Sequence, residues 1–299
     1  VKYVIGCTAD ERGREAISLA LTLARSLADP STVSLELVHI IRGEAPENTA
    51  TQSEKSFQQF QYDTAMGWMQ RCLDLVPSAL DAQIHIRFAD SMAGGMLEAA
   101  AAFSADLVVI GAASHGPLRR FTVGSVANAL LHSSPVPVAL APSGYRPPRL
   151  LTRITCALGT RSGSEAVLQS AVEAAAARHV PLRLVSLVAL DLSQAQGISN
   201  LGQRTQAHSS RVLDEAVSAV AHRTVVTAEV AQGRSIEAAI NTLDWDEEEL
   251  VLIGSSRLAE RSKIFMGATA NKMLRALPVP MVVVPRYHIA AGSEPAARL

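Results

Sequence analysis

Residues Asp106 to Ala141 read DLVVIGAASHGPLRRFTVGSVANALLHSSPVPVALA. A short apolar run, Leu107 to Ile110, ends at Gly111. A polar loop follows, with Gly116, Arg119 and Arg120. Gly124-Ser125 then opens a helical pattern that stops before Pro135, and a last apolar run, Val136 to Ala141, closes the unit. Strand, glycine loop, helix, strand is the arrangement that places an anion at a helix N-terminus.

The unit returns at an offset of 143 residues. Glu249 to Pro285 reads ELVLIGSSRLAERSKIFMGATANKMLRALPVPMVVVP. Gly111 pairs with Gly254, Gly124 with Gly267, Asn128 with Asn271, Pro135 with Pro278 and Pro137 with Pro280. Five identities at one offset make the chain two copies of one fold. The 299 residues suit two ordinary domains. The expected division is 1–142, a linker at 143–150, a second domain at 151–287 and a flexible tail at 288–299.

Outward from the repeat unit, strands and helices alternate. Val1 to Cys7 is an apolar strand, Thr8 to Gly13 a polar turn, and Arg14 to Leu27 an amphipathic helix. Val33 to Ile41 is a second strand, Ser53 to Val76 a long helix with Ser53 as cap, and Ala82 to Ala89 an alternating strand at a sheet edge. An alanine-rich helix over Ser91 to Phe103 leads into the repeat unit. The second half repeats this order from Arg153. Such alternation implies a parallel sheet covered by helices on both faces.

Composition excludes several classes. Apolar residues are 48% and charged residues 18%, a globular mix. A net charge of -1 offers no basic excess for nucleic acid or an anionic membrane, and 4% aromatics make no base-stacking platform. No apolar run is long enough for a membrane span, and no secretory leader is expected from the opening residues. The three cysteines, Cys7, Cys72 and Cys156, are too scattered for a disulfide framework or a zinc site. They are expected to be reduced and buried, which points to the cytoplasm.

The motifs resemble those of the universal stress protein family: a strand, Gly, two residues, Gly, nine residues, Gly-Ser, then a helix and a strand entered through Pro-Val-Pro. The resemblance covers nearly the whole chain and appears twice. It implies an α/β fold of two tandem Rossmann-like domains, each a five-stranded parallel sheet of order 3-2-1-4-5. It also implies a site for ATP or AMP at the carboxyl ends of the strands, with magnesium accompanying the phosphates of ATP. Carried over, Gly111, Gly124 and Ser125 match the phosphate motif. Thr8 and Ala9 follow the first strand, and Ile40 stands at an adenine contact. The second motif glycine falls on Ser114, and Gly116 serves instead if the loop is realigned.

There are departures. The acidic residue that usually follows the first strand falls on Thr8, with Asp10 two residues on. In the second half Arg257 replaces the second glycine, Ala268 the serine, and Leu158 stands at the acidic position. The first half is therefore expected to be the main site and the second a degenerate one. The last strand of each half is expected to pair with its counterpart, either within the chain or across a homodimer.

Simpler readings stand beside these. Gly111 and Gly254 suit tight turns, Ser125 suits a helix cap, and Arg119-Arg120 a solvated surface. His115 has no partner placed to form a catalytic triad, and no histidine spacing suits a structural metal. The run DWDEEE before Leu250 reads as an exposed acidic turn. No nucleophile–base pair is legible, so a non-enzymatic role is expected. The alternative function is a nucleotide-independent stress-related interaction or regulatory protein.

Overall fold

The computed structural model describes residues 1–44, 52–112, 124–146, 150–159, 164–189, 198–255, 264 and 266–285. Ser114, His115, Gly116, Arg119, Arg120 and Arg257 lie outside the described residues, as does the tail after 285.

The first half runs β1 (Lys2–Gly6), α1 (Glu11–Arg25), β2 (Ser34–Arg42), α2 (Gln52–Leu73), β3 (Asp81–Ala89), α3 (Met92–Phe103), β4 (Leu107–Gly111), α4 (Ser125–Ser133) and β5 (Val138–Ala141). The second runs β6 (Arg153–Ala157), α5 (Glu165–Ala176), β7 (Leu182–Ala189), α6 (Ile198–Val220), β8 (Val226–Gly233), α7 (Ile236–Ile240), β9 (Glu249–Gly254), α8 (Ala268–Ala276) and β10 (Met281–Val284).

All ten strands join one sheet, in the order β3-β2-β1-β4-β5-β10-β9-β6-β7-β8. Each half is thus a parallel sheet of order 3-2-1-4-5. The halves meet at β5 and β10, which pair antiparallel with Val282 opposite Ala139. The expected pairing of the closing strands therefore occurs inside one chain. Since β5 and β10 run in opposite directions, the carboxyl ends of the two sets of strands lie at opposite edges of the sheet.

Strand alternation sorts the core into two layers. Ile5, Leu37, Val109, Cys156 and Leu252 face α1, α2, α5 and α6. Val4, Val38, Ile110, Val251 and Ile253 face α3, α4, α7 and α8. Both layers cross the midline, so the halves share their cores. Other bonds tighten the join. Leu151 N–H donates to Ser26 Oγ at 2.9 Å, and the Arg178 guanidinium donates to the Leu23 carbonyl at 3.2 Å. The linker docks too: Gly144 N–H donates to Glu15 Oε1 at 2.5 Å and Tyr145 hydroxyl to Thr22 at 3.2 Å.

Three local expectations change. Helix α1 begins at Glu11 rather than Arg14, because Asp10 caps it and accepts the Arg12 N–H. Ser53 lies inside α2 rather than capping it. The acidic turn is not wholly exposed, because Glu249 is fully buried at the start of β9. It survives there because Arg153 and Arg183 each donate to it, at 2.6 and 2.7 Å, as does the Thr155 hydroxyl.

Candidate functional site

A cleft opens where β1, β2 and β4 end and α4 begins. It encloses about 600 Å³ of empty space, part of it open to solvent. Thr8, Ile40, Gly111, Gly124 and Ser125, spread over 118 positions of sequence, all line it. Ala9 is exposed and is not part of the lining. Sequence reasoning missed Gly6, Arg12, Met92 and Met96, which line it as well. Gly6 was visible as a strand-end glycine, and the methionines as a pair one helical turn apart on α3. Arg12 was hidden in residues read as a turn.

Each wall has a physical origin. Val38, Ile40, Met92 and Met96 make an apolar side, with Met96 only 2% exposed. The opposite end is the start of α4, where Gly124 sits in extended conformation as N-cap and no side chain among the described residues caps the helix. Ser125 is the first helical residue, so its hydroxyl is not the cap. The opening turn of α4 is thus left to amide hydrogens and the positive end of the helix dipole.

Gly111 has a packing reason of its own. A Cβ there would collide with the backbone carbonyl of Arg12, so the missing side chain lets the first turn of α1 close on the end of β4. Asp10 holds that turn in place. Burial works against the charged Asp10 carboxyl, but hydrogen bonds from Arg12 and Thr8 and the Arg12 charge outweigh it and set its pKa below the ordinary value. Cys7 at the back of the cleft is the reverse case. Burial, reinforced by Cys72 nearby, pushes its thiol well above the ordinary range.

At the other edge of the sheet the twin end differs. The strand register pairs Tyr3 with Leu107 and Ile154 with Leu250, so Ile154 stands where Tyr3 does. Cys7 N–H donates to Val38 and Leu158 N–H to Val185, each at 2.8 Å, so Leu158 is the counterpart of Cys7. This corrects the placement of Leu158 at the acidic position; Gly159 stands opposite Thr8 instead. Helix α8 starts as α4 does, with Gly267 as an extended cap, but Ala268 replaces Ser125. The chain just before it is committed elsewhere. Ile264 and Met266 are buried and donate N–H bonds to the carbonyls of Ser134 and Leu131 in the first half, at 2.8 and 3.1 Å.

A model of the universal stress protein family matches residues 7–142 and, separately, residues 151–285. The chain belongs to the universal stress protein family. Within it, universal stress proteins of Mycobacterium tuberculosis and Mycobacterium bovis are each 27% identical over 298 residues, covering 94% of this chain and 99% of theirs. The crystal structure of a universal stress protein from Archaeoglobus fulgidus superposes with a TM-score of 0.65 at 14% identity, covering 95% of this chain and 98% of that one. A functionally unknown protein from Pseudomonas aeruginosa gives 0.59 at 15% identity, covering 95% and 92%. At such identities the likeness concerns the fold. Among the described residues no helix is long and apolar enough to cross a membrane, and no group of three or more metal-ligating side chains gathers.

Proposed function

We propose that the chain is a cytoplasmic stress-response protein that binds ATP, or a related adenine nucleotide such as AMP, in the cleft of its first half. The observation that carries this is convergence: an apolar wall, two strand-end glycines and an uncapped helix start face one space. The apolar wall suits a flat base, and the α4 start suits phosphate. The second half keeps the helix start but not the serine, and is read as degenerate.

Magnesium fits less well as a protein-held ion, since no carboxylate is among the described lining residues. Any such ion would depend on the phosphates themselves. The lining provides contacts rather than a nucleophile and base, because the Cys7 thiol is held protonated by burial and the Thr8 hydroxyl is bonded to Asp10. The proposed role is therefore binding rather than catalysis.

Calorimetric titration with ATP tests this reading. Saturable heat is expected from the native chain and none from Gly124→Asp, which puts a negative charge and a side chain at the helix start. Absence of heat from the native chain would end the proposal. The second reading, a nucleotide-independent interaction protein, is favoured by one observation: the Asp10 carboxylate is already fully engaged. Nucleotide carried through purification, seen as excess absorbance near 260 nm, would count against that reading.

A further inference from the structure

The turn between β1 and α1 contains a closed set of bonds. Asp10 Oδ1 accepts the Thr8 hydroxyl at 2.5 Å and the Arg12 N–H at 3.2 Å. Asp10 Oδ2 accepts Arg12 Nε at 2.8 Å and Nη2 at 2.5 Å. A carboxylate offers about four lone-pair sites, and four donors fill them. Asp10 therefore has nothing left for the hydroxyl of a ligand, although it is the acid nearest the position where the family pattern has one.

Arg12 is in the opposite situation. Its guanidinium spends one edge, Nε and Nη2, on Asp10, and Nη1 has no bond among the described residues. The side chain is 45% exposed and lines the cleft, where it is the sole formal charge among the described lining residues. Its backbone is fixed against the end of β4 by the missing Cβ of Gly111. A free guanidinium corner and an uncapped helix start thus border the same space, and both favour an anion.

We propose that Arg12 is the cation that recognises the phosphoryl group of the bound nucleotide, an assignment that rests on the nucleotide reading above. The Asp10 pair keeps the guanidinium plane in place while Nη1 is offered to a phosphate oxygen. Planar, charge-assisted bonding of this kind distinguishes a phosphorylated ligand from the bare nucleoside. The second half has Gly163 at the corresponding place in sequence, with no side chain to do the same.

The test is equilibrium titration of the native chain, Arg12→Gln and Asp10→Asn with ATP, AMP and adenosine. Arg12→Gln is expected to weaken ATP and AMP about tenfold or more while leaving adenosine within about twofold. Asp10→Asn loses the same ion pair but keeps the cation, and is expected to retain the preference for phosphorylated ligands. Equal weakening of adenosine and ATP by Arg12→Gln, no weakening of either, or loss of the preference in Asp10→Asn would each overturn the assignment. If the native chain binds ATP and Arg12→Gln binds it equally, the Arg12 role alone falls. If the native chain binds none of the three, the nucleotide reading falls and takes this one with it.

Discussion

At one pair of positions the two halves carry an acidic and a basic side chain in opposite order. On β2, Glu36 is buried and lies 2.7 Å from His85 Nε2 on β3. The strand register places Arg183 on β7 where Glu36 is, and Glu229 on β8 where His85 is, and these two lie 3.9 Å apart. The backbone has been kept while the side-chain chemistry has been inverted. The inversion is coupled to a neighbour. Arg183 also donates to Thr155 and to the buried Glu249, and its guanidinium lies 4.9 Å from the Trp245 ring. In the first half the counterparts of Thr155 and Glu249 are Val4 and Asp106, and Asp106 accepts the Lys2 N–H at 2.8 Å. The first half has a cluster of polar bonds at the carboxyl ends of its strands, around Asp10. The second has one toward the amino ends of its own strands, around Arg183 and Glu249, in the service of the core.

The largest effect that could break this comparison is on stability. Glu249→Ala would leave Arg183 buried without its carboxylate and is expected to cost about 3–5 kcal/mol in urea unfolding. Asp106→Ala, at the matching place, removes one backbone bond and is expected to cost about 1 kcal/mol. Equal losses would show that the buried network gives the second half nothing its twin lacks.

A smaller contrast concerns the paired glycines. Ala at Gly111 must displace the Arg12 backbone, so about 1–3 kcal/mol of destabilisation is expected, with weaker ATP binding as Arg12 moves. Among the described residues, Ala at Gly254 would meet the Val167 side chain, with Cγ1 at 3.3 Å, and a change within about 1 kcal/mol is expected. Helix α5 begins at Glu165, three residues later than α1 does once the halves are in register, and among the described residues nothing as rigid crowds Gly254. Similar costs at the two glycines would mean that Gly111 is an ordinary strand end.

Most of the fold was legible because its signals are local. The apolar run before Gly111, the helical spacing after Gly124 and the prolines before β5 each act within a few residues, and the repeat doubled every signal. What was illegible depended on distance or on a single residue of phase. Glu249 looked like part of a solvated turn because its partners Arg153 and Arg183 are 96 and 66 residues away in sequence. Arg12 was lost because Gly13 suggested a break, whereas the Asp10 cap carries the helix back to Glu11. Leu158 was placed one residue out of step with Thr8, since apolar run and turn have no sharp edge in sequence; the strand register and the bonds to Val38 and Val185 fix the phase.

The last contrast is a response to pH. His39 lies beside the cleft, its Nδ1 3.0 Å from the Cys7 carbonyl and its ring edge-on to Trp68 at 4.6 Å. Burial lowers its pKa below the ordinary 6.5, and the bond to Cys7 only partly opposes the shift. The folded chain therefore resists protonation of this ring, while the unfolded chain accepts a proton near 6.5. Between 6.5 and the lowered folded value the unfolded state binds more protons, so this group's contribution is complete above that window and is lost as pH falls through it. The strand register puts Ser186 in the second half where His39 is, and serine does not titrate there. His39→Ser makes the first half like the second. Its urea midpoint is expected to fall less between pH 7.5 and pH 5.5 than that of the native chain, whatever the mutation costs at neutral pH. An unchanged fall would assign the acid response to other groups and remove titration at this position from the differences between the halves.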